Sequence, residues 1–249
     1  MSTATSAANT GKDSPLAVSI VIPVLNEAET LPPLLDALAR LPVKEVLVVD
    51  GGSSDGTVAA AASHGKAHLI PARRGRALQL NAGAAHATGD VLLFLHADTR
   101  LPGNALTELT DSIAGGARWG RFDVRLDDHS RWFRIVERAM NLRSAVTGIA
   151  TGDQAIFVRS EDFRRIGGFP ALPLMEDVAL SKRLRAQSRP ARLRGPVVTS
   201  ARKWRREGIV RTMARMWLLR ALFALGVPAA RLHGIYYRGE SGPAPGDRS

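Results

Sequence analysis

Apolar residues in this chain gather into short runs that end abruptly on polar ones. Val18–Ile22, Val46–Val49, Ala67–Ile70 and Val91–Leu95 are four such runs. They are too short for helices and rich in β-branched residues, so they predict strands, and the unbroken ones predict burial on both faces. Pro23 is expected to stop the first strand. Between the runs the period changes. Leu31, Leu34, Leu35 and Leu38 form a helical stripe, with Thr30 at the N-cap position and Pro32 and Pro33 in the first turn. An Ala-rich helix runs through Ala62, and another carries Leu78, Gln79, Asn81 and Ala82 to His86. Alternating strand and helix predicts an α/β fold with a mostly parallel central sheet flanked by helices.

The second half is less regular. Leu106–Ile113 and Trp132–Leu142 read as helices, and Gly120–Leu126 alternates like a half-exposed strand. Gly148–Gln154 is a loop, Ala155–Val158 a short strand and Gly167-Gly168-Phe169-Pro170 a turn. A helix opens at Met175-Glu176-Asp177-Val178. In Lys203–Val227, Ile209, Val210, Met213, Met216 and Trp217 fall on one stripe with Arg211 and Arg215 opposite, and Leu218–Leu225 is apolar except for Arg220. Arginines cut this run, which argues against a membrane span. It reads either as a core-covering helix or as a basic interfacial helix on anionic lipid. The expected layout is a disordered start (1–15), a main domain (16–202), a C-terminal helical extension (203–238) and a disordered tail (239–249).

Composition narrows the partners. Of 249 residues, 34 are Lys or Arg and 23 Asp or Glu, a net charge of +11 that favours an anionic partner. Aromatics are only 5% and are not interleaved with a basic patch, so nucleic-acid stacking is not favoured. The absence of cysteine removes disulfides, thiolate metal sites and thiol nucleophiles. The N-terminus shows no basic segment followed by an apolar one, so no secretory signal is read. The expected location is cytoplasmic, with peripheral contact on the inner face of the membrane through Lys203–Val227.

Candidate chemistry sits at the carboxyl ends of the strands, where open α/β sheets bind ligands. The fourth strand delivers His96-Ala97-Asp98-Thr99. A carboxylate there can hold a divalent cation, and the cation a diphosphate; Asp98 can equally cap a following helix. The second strand ends at Asp50 and a Gly/Ser/Asp loop, Gly51–Thr57, whose amides are available to an anion. Arg73-Arg74-Gly75-Arg76 opens a helix and suits a phosphate. No G-x-G-x-x-G follows the first strand, and there is no Walker loop.

Taken in order, Pro23…Asn26-Glu27, Val49-Asp50-Gly51-Gly52-Ser53-Ser54-Asp55-Gly56-Thr57, Arg74-Gly75-Arg76…Gln79…Asn81, His96-Ala97-Asp98-Thr99, Gly152-Asp153-Gln154 and Glu176-Asp177 resemble glycosyltransferase family 2, of the GT-A fold. The resemblance spans about Val18 to Arg202 and is nearest to short stand-alone bacterial-type members, including ones associated with arsenosugar or carotenoid glycosylation. It implies a nucleotide-sugar donor (a UDP-sugar favoured, a GDP-sugar as alternative), Mg2+ or Mn2+, a hydroxyl acceptor and inversion at the anomeric carbon. By the same resemblance, Pro23, Asn26, Glu27, Asp50, Gly52, Ser53, Asp55, Arg74, Arg76, Asn81, His96 and Ala97 form the donor site. Asp98 is the metal ligand and Asp177 the general base. Gly152, Asp153, Gln154 and Glu176 shape the sugar and acceptor pocket. There are two departures: His96 stands at the first carboxylate of the D-x-D motif, and Gly51 at the second Asp of the donor loop. His96 is read as a ribose contact or a satisfied strand-end histidine rather than a ligand, and Glu176 as pointing away from Asp177. A nucleotidyltransferase is the competing enzyme class, but it needs a Gly- and Lys/Arg-rich loop where Pro23–Glu27 stands. A non-catalytic nucleotide-sugar-binding module is the third reading.

Overall fold

The structure, a computed structural model, describes residues 16–237. The segments expected to be disordered, 1–15 and 239–249, lie outside the described residues. The first half alternates as its apolar pattern predicts: β1 (Val18–Val24), α1 (Leu31–Leu38), β2 (Glu45–Asp50), α2 (Thr57–Ala62), β3 (Ala67–Pro71), α3 (Arg76–His86) and β4 (Val91–Phe94). A two-residue β5 (Thr99–Arg100) and α4 (Ala105–Ala114) follow. Then come β6 (Trp119–Leu126), α5 (Arg131–Thr147), β7 (Phe157–Arg159), α6 (Ser160–Arg165), α7 (Glu176–Arg185) and β8 (Ala191–Thr199). The described chain closes with α8 (Arg202–Glu207), α9 (Ile209–Ala224) and α10 (Ala229–Tyr237).

One eight-stranded sheet runs β3-β2-β1-β4-β7-β6-β8-β5. The β1–β2, β1–β4, β2–β3 and β6–β8 pairs are parallel, and the pairs made by β7 and β5 are antiparallel. Only residues 95–98 separate β4 at the centre from β5 at the far edge, so the sheet curls around them. Core residues lie on both faces. Ile20, Ile22 and Val48 pack with the leucines of α1 and with Leu106, Leu109 and Ile113 of α4. Val21, Leu47 and Val49 pack with Leu80 of α3, Phe163 of α6 and Leu180 of α7. Burial on both sides is why these strands carry no polar alternation.

The structure corrects several sequence expectations. β1 continues through Pro23, which pairs with Val49. Val21 accepts from Leu95 N on the β4 side, and residue 23 faces the same way after β4 has ended at Phe94, so the missing N–H costs no ladder bond. Thr30 does not cap α1 with its side chain; its hydroxyl donates to Glu27 Oε2 at 2.5 Å. β6 is not half-exposed: Arg121 and Asp123 are buried, and Asp123 is hydrogen-bonded by Arg121 and by Arg192. Pairing with each other lets polar side chains keep the alternation inside the protein. α5 runs five residues beyond Leu142, to a left-handed Gly148.

The C-terminal helix is broken at Gly208, and only part of its expected stripe faces inward. Ile209 and Met213 pack with Phe133 and Val136 of α5, whereas Val210 and Trp217 are exposed and Arg215 turns in to pair with Glu207. Leu219 of α9 and Leu232 of α10 bury against Met175 and Val178 at the start of α7. The inward face of the segment therefore covers the core. Among the described residues no helix is long and apolar enough to cross a membrane.

Candidate active site

Two adjoining clefts open at the carboxyl ends of β1 and β4. The larger, about 750 Å³, is lined by Pro23, Glu27, Arg74, Arg76, His96, Ala97, Asp98 and Glu176, and is roofed by His233, Tyr236 and Tyr237 of α10. The smaller, about 290 Å³, shares Arg76, His96, Asp98, Glu176 and Tyr236 with it. It extends past Gly152, Asp153 and Asp177 to Thr212, Met216 and Arg220 of α9. Asp177 lines the smaller cleft and not the larger.

Local structure sets each group. His96 and Asp98 occupy the short link from β4 to β5, where Thr99 pairs with Thr199 of β8. Asp98 does not cap α4, whose N-cap is Asn104. His96 is half-buried, and its Nε2 is buried with no hydrogen-bond partner. Burial, with Arg76 beside it, pushes the imidazole well below its usual range and keeps it neutral. His96 is thus not a satisfied strand-end histidine. Asp98 is pushed up, by burial against the weaker opposing pull of Arg202 and Arg76. Its hydrogen bonds come from the hydroxyls of Thr99 and Thr199 at 3.4 and 3.5 Å. A carboxylate whose hydrogen bonds are two long ones from hydroxyls, beside an imidazole nitrogen without a partner, fits a divalent cation. Among the described residues no three acidic or histidine side chains form a complete metal cluster, so oxygens of a ligand or of water would have to fill the remaining coordination positions.

Asp177 is held by the backbone: Gly152 N donates to Oδ2 at 2.8 Å and Val178 N to Oδ1 at 2.7 Å. Glu176 does not point away from it. Both carboxyls reach the cleft from the first turn of α7, and Glu176 lies 3.5 Å from Arg76 Nε. Burial and the charge of Asp177 push the Glu176 carboxyl up, against the pull of Arg76. Gly152 is required by close approach: a Cβ there would sit 2.6 Å from His96 Nε2 and 2.9 Å from Arg76 Nη2.

Other residues assigned to the site from sequence hold the fold and line neither cleft. Asn81 exchanges both amide atoms with the backbone of Phe169, at 2.8 and 2.9 Å. Gln154 is buried in a capping box with Thr151. Asn26 Oδ1 accepts from Ser54 N, and Ser53 Oγ accepts from Asn26 N. Asp55 accepts from Thr57 N and Ala28 N. Asp50 closes its loop by accepting from Gly52 N, Ser53 N and the Ser53 hydroxyl. Ser53 N is shared between both oxygens, so four contacts from within the loop engage the Asp50 carboxylate. Gly51, the second departure, has a packing cause. Gln79 bonds both Val24 O and Val49 O, and a Cβ on Gly51 would meet its carboxamide at 2.9 Å.

Sequence reasoning missed the cleft residues of α8 to α10. Lys203, Trp204 and Tyr236 gave no motif, while Arg220 gave one signal: it is the lone cation in an otherwise apolar run.

The sequence model of glycosyl transferase family 2 matches residues 19–164, more than half of the chain. The chain belongs to glycosyl transferase family 2. The match ends before Glu176 and Asp177. A curated relative, the undecaprenyl-phosphate 4-deoxy-4-formamido-L-arabinose transferase of Sodalis glossinidius, is 34% identical over 165 residues, 57% of this chain and 48% of the relative. The chain thus spans about half the length of the curated relatives it matches. Among solved structures, the mannosyltransferase PcManGT of Pyrobaculum calidifontis, in complex with GDP-Man and Mn2+, is 23% identical. It covers 94% of this chain and 67% of its own, with a TM-score of 0.59. Glucosyl-3-phosphoglycerate synthase of Mycobacterium tuberculosis, in complex with Mn2+, UDP and glucosyl-3-phosphoglycerate, is 20% identical over 86% of this chain and 81% of its own, with a TM-score of 0.60. These likenesses establish the GT-A fold.

Proposed function

We propose that this family 2 chain transfers a sugar from a nucleoside-diphosphate sugar to a hydroxyl of an acceptor, with inversion. The observation that carries the reading is the pair of clefts meeting at His96, Asp98 and Glu176, with Asp177 on the smaller cleft alone. The larger cleft takes the donor. Arg74 and Arg76 give its diphosphate a positive wall. Asp98, with His96 beside it, would hold Mg2+ or Mn2+, which would offset the charge of the leaving diphosphate. PcManGT and the Mycobacterium synthase carry Mn2+ and a nucleotide, which supports this assignment. A UDP-sugar is the favoured donor, with a GDP-sugar second.

Asp177 faces the acceptor and takes its hydroxyl proton as the oxygen attacks. A C–O bond forms at the anomeric carbon, and the bond to the diphosphate breaks. Base assistance of this kind contributes about 10²–10⁴-fold. Glu176, the neighbouring carboxyl, lies 3.5 Å from Arg76 Nε, and burial and the charge of Asp177 push it up. The test is a thermal-shift panel of UDP, GDP, CDP and dTDP with and without Mn2+. One diphosphate should raise the melting temperature in a Mn2+-dependent way, and Asp98→Ala should abolish that rise. Asp177→Asn should keep the rise and lose turnover by about 10²-fold or more. Unchanged turnover in Asp177→Asn would instead favour a binding module. The curated relatives are named for a lipid-phosphate acceptor. The outward face of α9, with Val210, Trp217, Leu218 and Leu225 exposed beside Arg211, supports a peripheral membrane contact.

A further inference from the structure

The α9 side of the smaller cleft holds polar atoms with nothing to bond. Thr212, Met216 and Arg220 are spaced four residues apart, so they share one helix face, and all three line the cleft. Thr212 Oγ1 and Arg220 Nε are both buried without a hydrogen-bond partner. Buried polar atoms are almost always paired, and an unpaired donor on a charged group is costly. Among the described residues no carboxylate lies within ion-pair distance of Arg220. Its charged neighbour is another guanidinium, Arg143 of α5, whose Nε is also buried and unpartnered. Burial first, then the charge of Arg220, push Arg143 down to about 10, even though Asp153 and Asp177 pull the other way. Arg143 lies behind the lining and bonds Ile149 O and the Thr151 hydroxyl through its Nη atoms, so two like charges stand near each other and the one on the cleft, Arg220, favours an anion.

We infer that this wall is a subsite for an anionic group, phosphate or carboxylate, carried by the acceptor, with Arg220 as its charged fork and Thr212 as a hydroxyl donor. The inference rests on the transferase reading above. A guanidinium presents planar paired donors that match phosphate and carboxylate oxygens. A bound anion gives the orphaned Arg220 Nε–H and the Thr212 hydroxyl their partners and supplies Arg220 with a counter-charge. Met216 and Trp204 line the same cleft with apolar surface, which suits carbon skeleton between the anion and the hydroxyl that Asp177 deprotonates.

The experiment uses the full chain and two titrations followed by thermal shift. One is inorganic phosphate against chloride at equal ionic strength. The other is the nucleoside diphosphate panel with Mn2+. Wild type, Arg220→Met, Arg220→Lys and Thr212→Val are compared. Phosphate should stabilise wild type, with an apparent Kd weakened about tenfold to hundredfold in Arg220→Met and less in Arg220→Lys and Thr212→Val. The nucleotide response should stay within about twofold across the set, since a factor of two is under 0.5 kcal/mol. Arg220→Met should melt no lower than wild type without phosphate, because it removes the repulsion. A wild-type phosphate response retained in Arg220→Met, or none in wild type, overturns the subsite. A silent nucleotide panel with an Arg220-dependent phosphate response would overturn the transferase reading and leave the subsite standing. Glycerol 3-phosphate and phosphatidic acid in micelles then compete for the site, and the tighter competitor tells a soluble anion from a lipid headgroup.

Discussion

Asp123 shows how one side chain can hold two strands. Arg121 is 1% exposed and takes its counter-charge from Asp123, which Arg192 of β8 also grips through two nitrogens. Removing one partner of a buried pair leaves the other charge uncompensated, so Asp123→Asn is expected to cost about 3–5 kcal/mol in denaturant unfolding. Burial tends to raise the Asp123 carboxyl, but the bonds from Arg192 and Arg121 outweigh it and hold the group below its ordinary value. Its contribution is therefore complete above the unfolded value, about pH 4, and lost as pH falls through the lower folded one. The gap in melting temperature between wild type and Asp123→Asn should narrow below about pH 4. At Gly152 the expected effect is on binding. Gly152→Ala should displace His96 and Arg76 and weaken nucleotide affinity about tenfold, roughly 1.4 kcal/mol, with a near-normal melting curve. Residues of these two kinds were unequally legible in the sequence. His96 and Asp98 announce themselves by ending an apolar run. Asn81 and Gln154 look like ligand contacts because polar side chains in loops and at helix starts have no visible partner in sequence. The partner of Asn81 is a turn 88 residues away.

Elements were legible where burial leaves a period behind. β1, β2 and β4 are covered on both faces and so read as unbroken apolar runs. β6 is covered too, but its inward polar groups pair among themselves, and alternation then imitates exposure. α9 was legible as a helix and not as a wall, because its partners on α5 and α7 are set by the tertiary fold. Its outward face makes a separate prediction. If that face meets lipid, wild type should sediment with vesicles of mixed neutral and anionic lipid, and less so at high salt. Trp217→Ser with Leu218→Asp should then abolish sedimentation and leave the nucleotide response intact. Equal sedimentation of the two proteins would exclude lipid contact through this face.

Across the whole molecule the clefts join regions far apart in sequence. Pro23, Arg74 and Asp98 come from the alternating half, Asp177 from α7, and Arg220 and Tyr236 from the last two described helices. The fold class was readable from the first 100 residues, whereas the acceptor side needed contacts made by residues 152–237. That division has a consequence during synthesis. β4 can pair with β1 as soon as both have left the ribosome, but Asp98 is braced through Thr99 and Thr199, whose hydroxyls meet at 3.0 Å across a separation of 100 residues. A nascent chain that has not reached β8 has its phosphate-binding arginines and lacks the pairing that fixes Asp98. Such a chain can collapse around its first four strands well before it can engage a sugar nucleotide, because contacts between distant segments form late.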